Sequence, residues 1–256
     1  MELIGPDFRA GLRETLYRPF NPAGLGTAIG IFIALVIGNQ ILQGIFGFGS
    51  IALTSGAFGD ETTLMRSLLL AVLPAGILTG LLAWIFARWR GADASTVLAL
   101  HLPALGLLGW AMVVAGFVLS LYVFFGLLSW IFDIDVTSSG LVEKAVMRLS
   151  GDPFYVLIAG GLIIGAPIAE EMTFRGQIFA ALSQTRLGMT GAALVTSATW
   201  ASIHLTQPFH IIILLFLMGL ALCWLLVRFG SLWVTIVCHA VWNALSSVAL
   251  FWMSGQ

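Results

Sequence analysis

Glu170, Glu171 and Arg175 follow the apolar stretch Phe154–Ala169 without a turn-forming break, in the run Ala-Glu-Glu-Met-Thr-Phe-Arg-Gly. A charged side chain at the centre of a membrane helix costs about 2.5–3.5 kcal/mol. Three together need a reason. Glu171 and Arg175 are four apart with the acid first, so on a helix they face each other and can neutralise each other. Glu170 points about 100° away and is left without that partner. An unpaired carboxylate in an apolar wall suits general acid or base work near neutral pH. The plainer alternative is a Glu170 that shares Arg175 or meets water at a helix end.

The histidines sort unequally. His204 closes the small and apolar run Ala193–Ile203, while His239 and Asn243 are four apart and project from one face of the last apolar run. Each of these could serve only packing or interhelical hydrogen bonding. His101 and His210 fall at expected interfaces and read as surface residues. Seventeen residues separate Glu170 from Leu187, and seventeen more reach His204. A helical hairpin turning near Leu187 descends and returns by about 25 Å, which sets Glu170 and His204 at one depth. Spacing does not give the level of His239.

Such groups can do hydrolysis. A Glu and a His can hold and deprotonate a water. A second His and an Asn offer donors where an oxyanion develops. There is no Gly-x-Ser-x-Gly and no His-Glu-x-x-His. No cofactor is favoured, but Glu170, His204 and His239 could assemble a zinc site from separate helices.

The elements that must position these groups are set by composition. Of 256 residues, 59% are hydrophobic and 9% charged, and mean hydropathy is +1.03. A water-soluble domain carries about 25% charged residues. Lipid is therefore the expected solvent and partner over most of the surface. A net charge of −1 argues against a nucleic-acid partner. Cys223 and Cys238 sit in apolar runs, outside any Cys-x-x-Cys pattern, and read as packing residues.

No Asp, Glu, Lys or Arg occurs in 19–59, 67–87, 94–132, 187–227 or 229–256. Backbone groups in hydrocarbon must bond internally, and these runs lack barrel alternation, so they are helices. The expected fold is all-α: a polytopic transmembrane bundle of about seven spans, with six to eight allowed. The helices are placed at 25–48, 65–88, 103–131, 154–184, 190–206, 209–228 and 232–253. The third is either one tilted helix or a tight hairpin. The chain divides into an N-terminal segment 1–24, N-terminal helices and loops 25–150, and a core 151–256. With seven spans, Arg9, Arg13, Arg18, Arg88, Arg90, Arg186 and Arg228 gather on one side, against Arg66, Lys144 and Arg148 on the other. That bias favours a cytoplasmic N-terminus.

The charged and polar motifs resemble those of the CAAX-protease and bacteriocin-processing (CPBP, or ABI) family, which includes the prenyl-CAAX endoproteases. That family shows Glu-Glu-x-x-x-Arg, Phe-x-x-x-His and His-x-x-x-Asn/Asp in order. Here they stand as Glu170–Arg175, Trp200 to His204, and His239 to Asn243. Trp200 departs from the usual Phe, a swap of aromatics at what reads as a packing position. The resemblance spans about 100 residues, 154–250.

Carried over, it implies Glu170 as the water-activating residue and His204 as its partner. It implies His239 and Asn243 as the oxyanion pair, with Glu171 and Arg175 in support. It also implies a multi-pass protein of the bacterial inner membrane, cleaving hydrophobic or membrane-bound peptides and proteins. Bacteriocin maturation, self-immunity and protein sorting are the expected settings. An inactive scaffold or immunity protein and a proton-coupled transporter remain open alternatives. Oligomeric state is not indicated.

Overall fold

The computed structural model describes residues 3–53, 59–88, 91–134 and 140–254. Among them all regular structure is helical, as expected. In chain order the helices are α1 (Pro6–Arg13), α2 (Leu25–Leu53), α3 (Glu61–Ala87), α4 (Ala94–Val97), α5 (Leu107–Phe132) and α6 (Leu141–Arg148). They continue as α7 (Tyr155–Ser183), α8 (Gly188–Ser202), α9 (Phe209–Phe229) and α10 (Leu232–Met253).

Six of these are long and apolar enough to cross a membrane: α2, α3, α5, α7, α9 and α10. The seventh expected span, 190–206, is shorter. Helix α8 has 15 residues, about 22 Å against about 30 Å of hydrocarbon. It stops at Ser202 and the chain turns through 203–207 before Pro208. Pro208 biases the preceding residue away from the helical region, so the polar Thr206-Gln207 step becomes the corner. The long third run is one helix, α5, and not a hairpin.

Polar residues punctuate the chain. Asp60 caps α3 by accepting from the Thr63 N–H at 2.7 Å. The α9–α10 turn is made by Gly230, at φ +68°, and Ser231, whose hydroxyl accepts from the Trp233 N–H. On α2 the outward row Ile29, Ile33, Ile37, Ile41 and Ile45 is exposed at every fourth residue, the pattern of a lipid-facing helix.

Two sets of contacts define the ends of the bundle. At one end the Tyr17 N–H donates to the Val227 carbonyl at 3.1 Å and the Leu232 N–H to the Ala99 carbonyl at 2.8 Å. There Gln184 also reaches the Asn21 carbonyl. Chain position puts Arg9, Arg13, Arg18, Arg88, Arg186 and Arg228 at this end; Arg90 lies outside the described residues. At the other end Arg66 pairs with Asp152 at 2.6 Å and Arg148 with Glu61 at 3.0 Å.

Helices α3 and α7 meet backbone to backbone. A Cβ on Gly76 would stand 2.2 Å from the Gly165 carbonyl oxygen, and one on Gly165 would stand 2.7 Å from that of Val72. Small residues permit this approach, as in other membrane helix pairs.

Candidate active site

Helix α7 is not uniform. Gly161–Gly165 and Glu171–Ile178 are π-helical, with α-helical turns around them. The first π segment has an identifiable cause. The Ala166 N–H bonds back to the Gly161 carbonyl, five residues away. The next donor in that ladder would be residue 167, a proline without an N–H. The Leu162 carbonyl is thus left open, and Asn243 Nδ2 on α10 donates to it at 2.8 Å. Asn243 is therefore tied to α7, with its second amide hydrogen still available.

One turn further along α7 stand the two acids. Glu171 is fully buried and accepts from Arg175 Nη1 at 3.0 Å, as the four-residue spacing requires. The same oxygen, Oε1, also lies 2.9 Å from His239 Nδ1. A carboxylate accepts, so Nδ1 carries the hydrogen. His239 Nε2 can then donate only when the ring is doubly protonated. Glu171 therefore does more than support its own helix: it orients the α10 histidine across the bundle.

Glu170 is not free, contrary to expectation. Its Oε2 accepts from the indole Nε1–H of Trp200 at 2.6 Å. The same oxygen lies 4.0 Å from His239 Nε2. Trp200 does not merely fill space. It is instead a polar contact of the central acid, and it is 1% exposed. The clue was its ring nitrogen, which the usual Phe lacks and which a buried indole must satisfy.

His204 lies two residues beyond the end of α8. Its Nδ1 stands 2.9 Å from the Trp200 carbonyl oxygen, which accepts the Nδ1 hydrogen and leaves Nε2 as an acceptor in the neutral ring. The His204 and His239 rings each meet the Trp200 ring edge-on at 5.5 Å. The Arg175 guanidinium lies 4.7 Å from the centre of that ring. Glu170, His204 and His239 thus surround one indole. His101 is exposed and His210 half-buried, apart from this cluster.

Glu170, His204, His239 and Asn243 all line one half-open cavity of about 670 Å³ between the helices. Its other walls bring in α2 through Asn39, Gln40 and Gln43, and α3 through Thr79. Among the described residues, no three His, Cys, Asp or Glu side chains form a metal-holding group. Of the three residues that zinc would need, Glu170 already has Oε2 engaged by the indole.

A polytopic helical bundle with carboxylates and imidazoles around a half-open cavity defines a membrane protein with a buried polar centre. Residues 152–245 match the family model described as type II CAAX prenyl endopeptidase Rce1-like. The matched segment is the one that carries all three motifs. No curated protein and no solved structure gave a match.

Proposed function

We propose that this protein is an intramembrane endopeptidase of the CAAX type, using a glutamate-activated water on membrane-associated or hydrophobic peptide and protein substrates. One observation carries the reading. Glu170 hangs from an indole N–H by one carboxylate oxygen, at the wall of a large half-open cavity, with His204 and His239 beside the same indole.

Glu170 Oε1 faces the water and takes its proton as the water oxygen attacks the scissile carbonyl carbon. His204 Nε2 accepts the water's second hydrogen and fixes its direction. Charge developing on the carbonyl oxygen is met by His239 Nε2–H, with the ring doubly protonated and held through Nδ1 by Glu171. The second amide hydrogen of Asn243 joins it. Collapse of the tetrahedral species breaks the C–N bond, and the proton on Glu170 passes to the leaving amine. The whole exchange needs no group beyond the chain and one water.

Zinc is the competing route, and metal analysis of active purified protein decides it: a stoichiometric metal whose removal abolishes cleavage would replace this mechanism. The basic end of the bundle faces the cytoplasm in this reading, with the protein in a bacterial inner membrane.

The test uses an internally quenched farnesylated CAAX peptide in mixed micelles, together with comparison of membrane peptides from cells carrying wild type or Glu170→Ala. Glu170→Ala and His204→Ala should each lower cleavage by about 10²–10⁴-fold, the usual contribution of general acid–base groups. A substrate cut equally well by Glu170→Ala would sink the mechanism. Proton-coupled uptake in liposomes that is lost in the same variants would select a transporter. Biological function that survives replacement of all four cavity residues would select a scaffold.

A further inference from the structure

The geometry points to Trp200 as a positioning residue whose indole N–H holds Glu170 in its working orientation and keeps it from pairing with His239. This rests on the endopeptidase reading above.

Three observations converge on it. The Nε1–H donates to Glu170 Oε2 at 2.6 Å, a short bond to a carboxylate. The indole cannot swing away: it is 1% exposed, with Arg175 across its face and the two imidazoles at its edges. Its own carbonyl receives the Nδ1 hydrogen of His204, so one residue fixes both Glu170 and the tautomer of His204.

The competitor for Glu170 is close. His239 Nε2 lies 4.0 Å from the same Oε2, short of a hydrogen bond but within reach of a small rotation. Glu170 is on the cavity side, with 21% of its side chain exposed, whereas His239 is nearly enclosed. Without the indole N–H, the nearest partner for the acid is His239. A Glu170–His239 pair would occupy both the base and the oxyanion donor. An apolar ring at position 200 would preserve the packing and lose this separation.

The consequence is a split between kcat and KM. The indole is buried, so exchanging its N–H for an apolar edge of the same shape leaves the cavity and substrate contacts in place. Trp200→Phe should lower kcat by about tenfold to a hundredfold, the effect of losing one hydrogen bond to a charged group, while KM stays within about twofold. The stricter replacement is 3-benzothienylalanine at position 200, introduced by genetic code expansion. It exchanges the ring N–H for sulfur and keeps the bicyclic shape.

The bond itself can be read without turnover. Protein labelled with ¹⁵N at the indole nitrogens gives one signal for each of its nine tryptophans, and Trp200→Phe identifies the one that belongs to position 200. That proton should resonate downfield of an unbonded indole and move upfield in Glu170→Gln. The farnesylated CAAX peptide serves as the probe for kcat and KM.

Movement of the signal together with a kcat loss in the benzothienyl variant supports the proposal. A signal unmoved by Glu170→Gln overturns it by removing the bond. A moved signal with unchanged kcat overturns the positioning role. If Glu170→Gln cleaves the peptide as well as wild type, the endopeptidase reading fails and the positioning role with it, while the bond remains as a packing contact.

Discussion

Breaking the Glu171–Arg175 pair tests how the site is built. Both side chains are fully buried and joined at 3.0 Å. Arg175 has one further hydrogen bond, to the Gly219 carbonyl at 3.4 Å, and the face of Trp200. Glu171→Leu would leave a buried guanidinium with only those neighbours, and Arg175→Leu a buried carboxylate held by the neutral donors His239 and Thr235 without its cation. Removing one member of a buried pair costs about 3–5 kcal/mol, whereas replacing both by apolar residues of similar size is often close to neutral. The two single changes should therefore sum to at least about 6 kcal/mol. The double variant still leaves His239 Nδ1 unpaired, a cost of about 1–3 kcal/mol. The coupling is then at least about 3 kcal/mol, well beyond the additive range for independent sites. Reversible unfolding in mixed micelles, followed by circular dichroism, measures each corner of the cycle. Cleavage should stay lost in the double variant even where stability returns, because nothing then orients His239. Additive single effects, with coupling under about 0.5 kcal/mol, would refute the idea that this pair is one energetic unit.

Other consequences follow from single contacts. Asn243→Asp replaces the donor to the Leu162 carbonyl by an acceptor. It should both destabilise the α7–α10 contact and lower cleavage, and restored stability after replacing Pro167 by Ala, which returns the missing N–H, would tie the effect to that carbonyl. Gly165→Val places carbon against the Val72 backbone, so thermal unfolding in detergent should fall sharply, whereas Gly30→Ala, with open space around it, should change little. Asp93 is an exposed cap of α4, pushed down to about 2 by hydrogen bonds from Ser95 and Thr96. A depressed carboxyl favours the folded cap above the unfolded value of about 3.9 and loses that contribution as pH falls through about 2. Amide exchange at Thr96 should thus rise at the acid end in wild type and show no such pH step in Asp93→Asn.

The all-helical, membrane-embedded architecture was legible in the sequence because hydrocarbon leaves few options. Long stretches without a charge must satisfy their own backbone, and the helices expected at 232–253 and 209–228 match α10 and α9 to within a residue at each end. The facing of Glu171 and Arg175 was legible for a similar reason, since it is local to one helix. Helix α8 ends at Ser202, four residues before the expected 206, and the chain already turns through 203–207.

The site itself was legible only in part. Residue types make Glu170, His204, His239 and Asn243 candidates, the hairpin arithmetic relates the first two in depth, and the roles of the last two come from the family resemblance. Their partners could not be read. That Glu171 reaches across to His239, that Trp200 takes Glu170 by its indole N–H, and that Asn243 answers a carbonyl left open by Pro167 depend on how α7, α8 and α10 rotate against one another. Spacing along a chain sets which residues share a face of one helix. Which faces meet is decided by packing between helices, such as the glycine crossing of α3 on α7, and only the tertiary structure contains that decision.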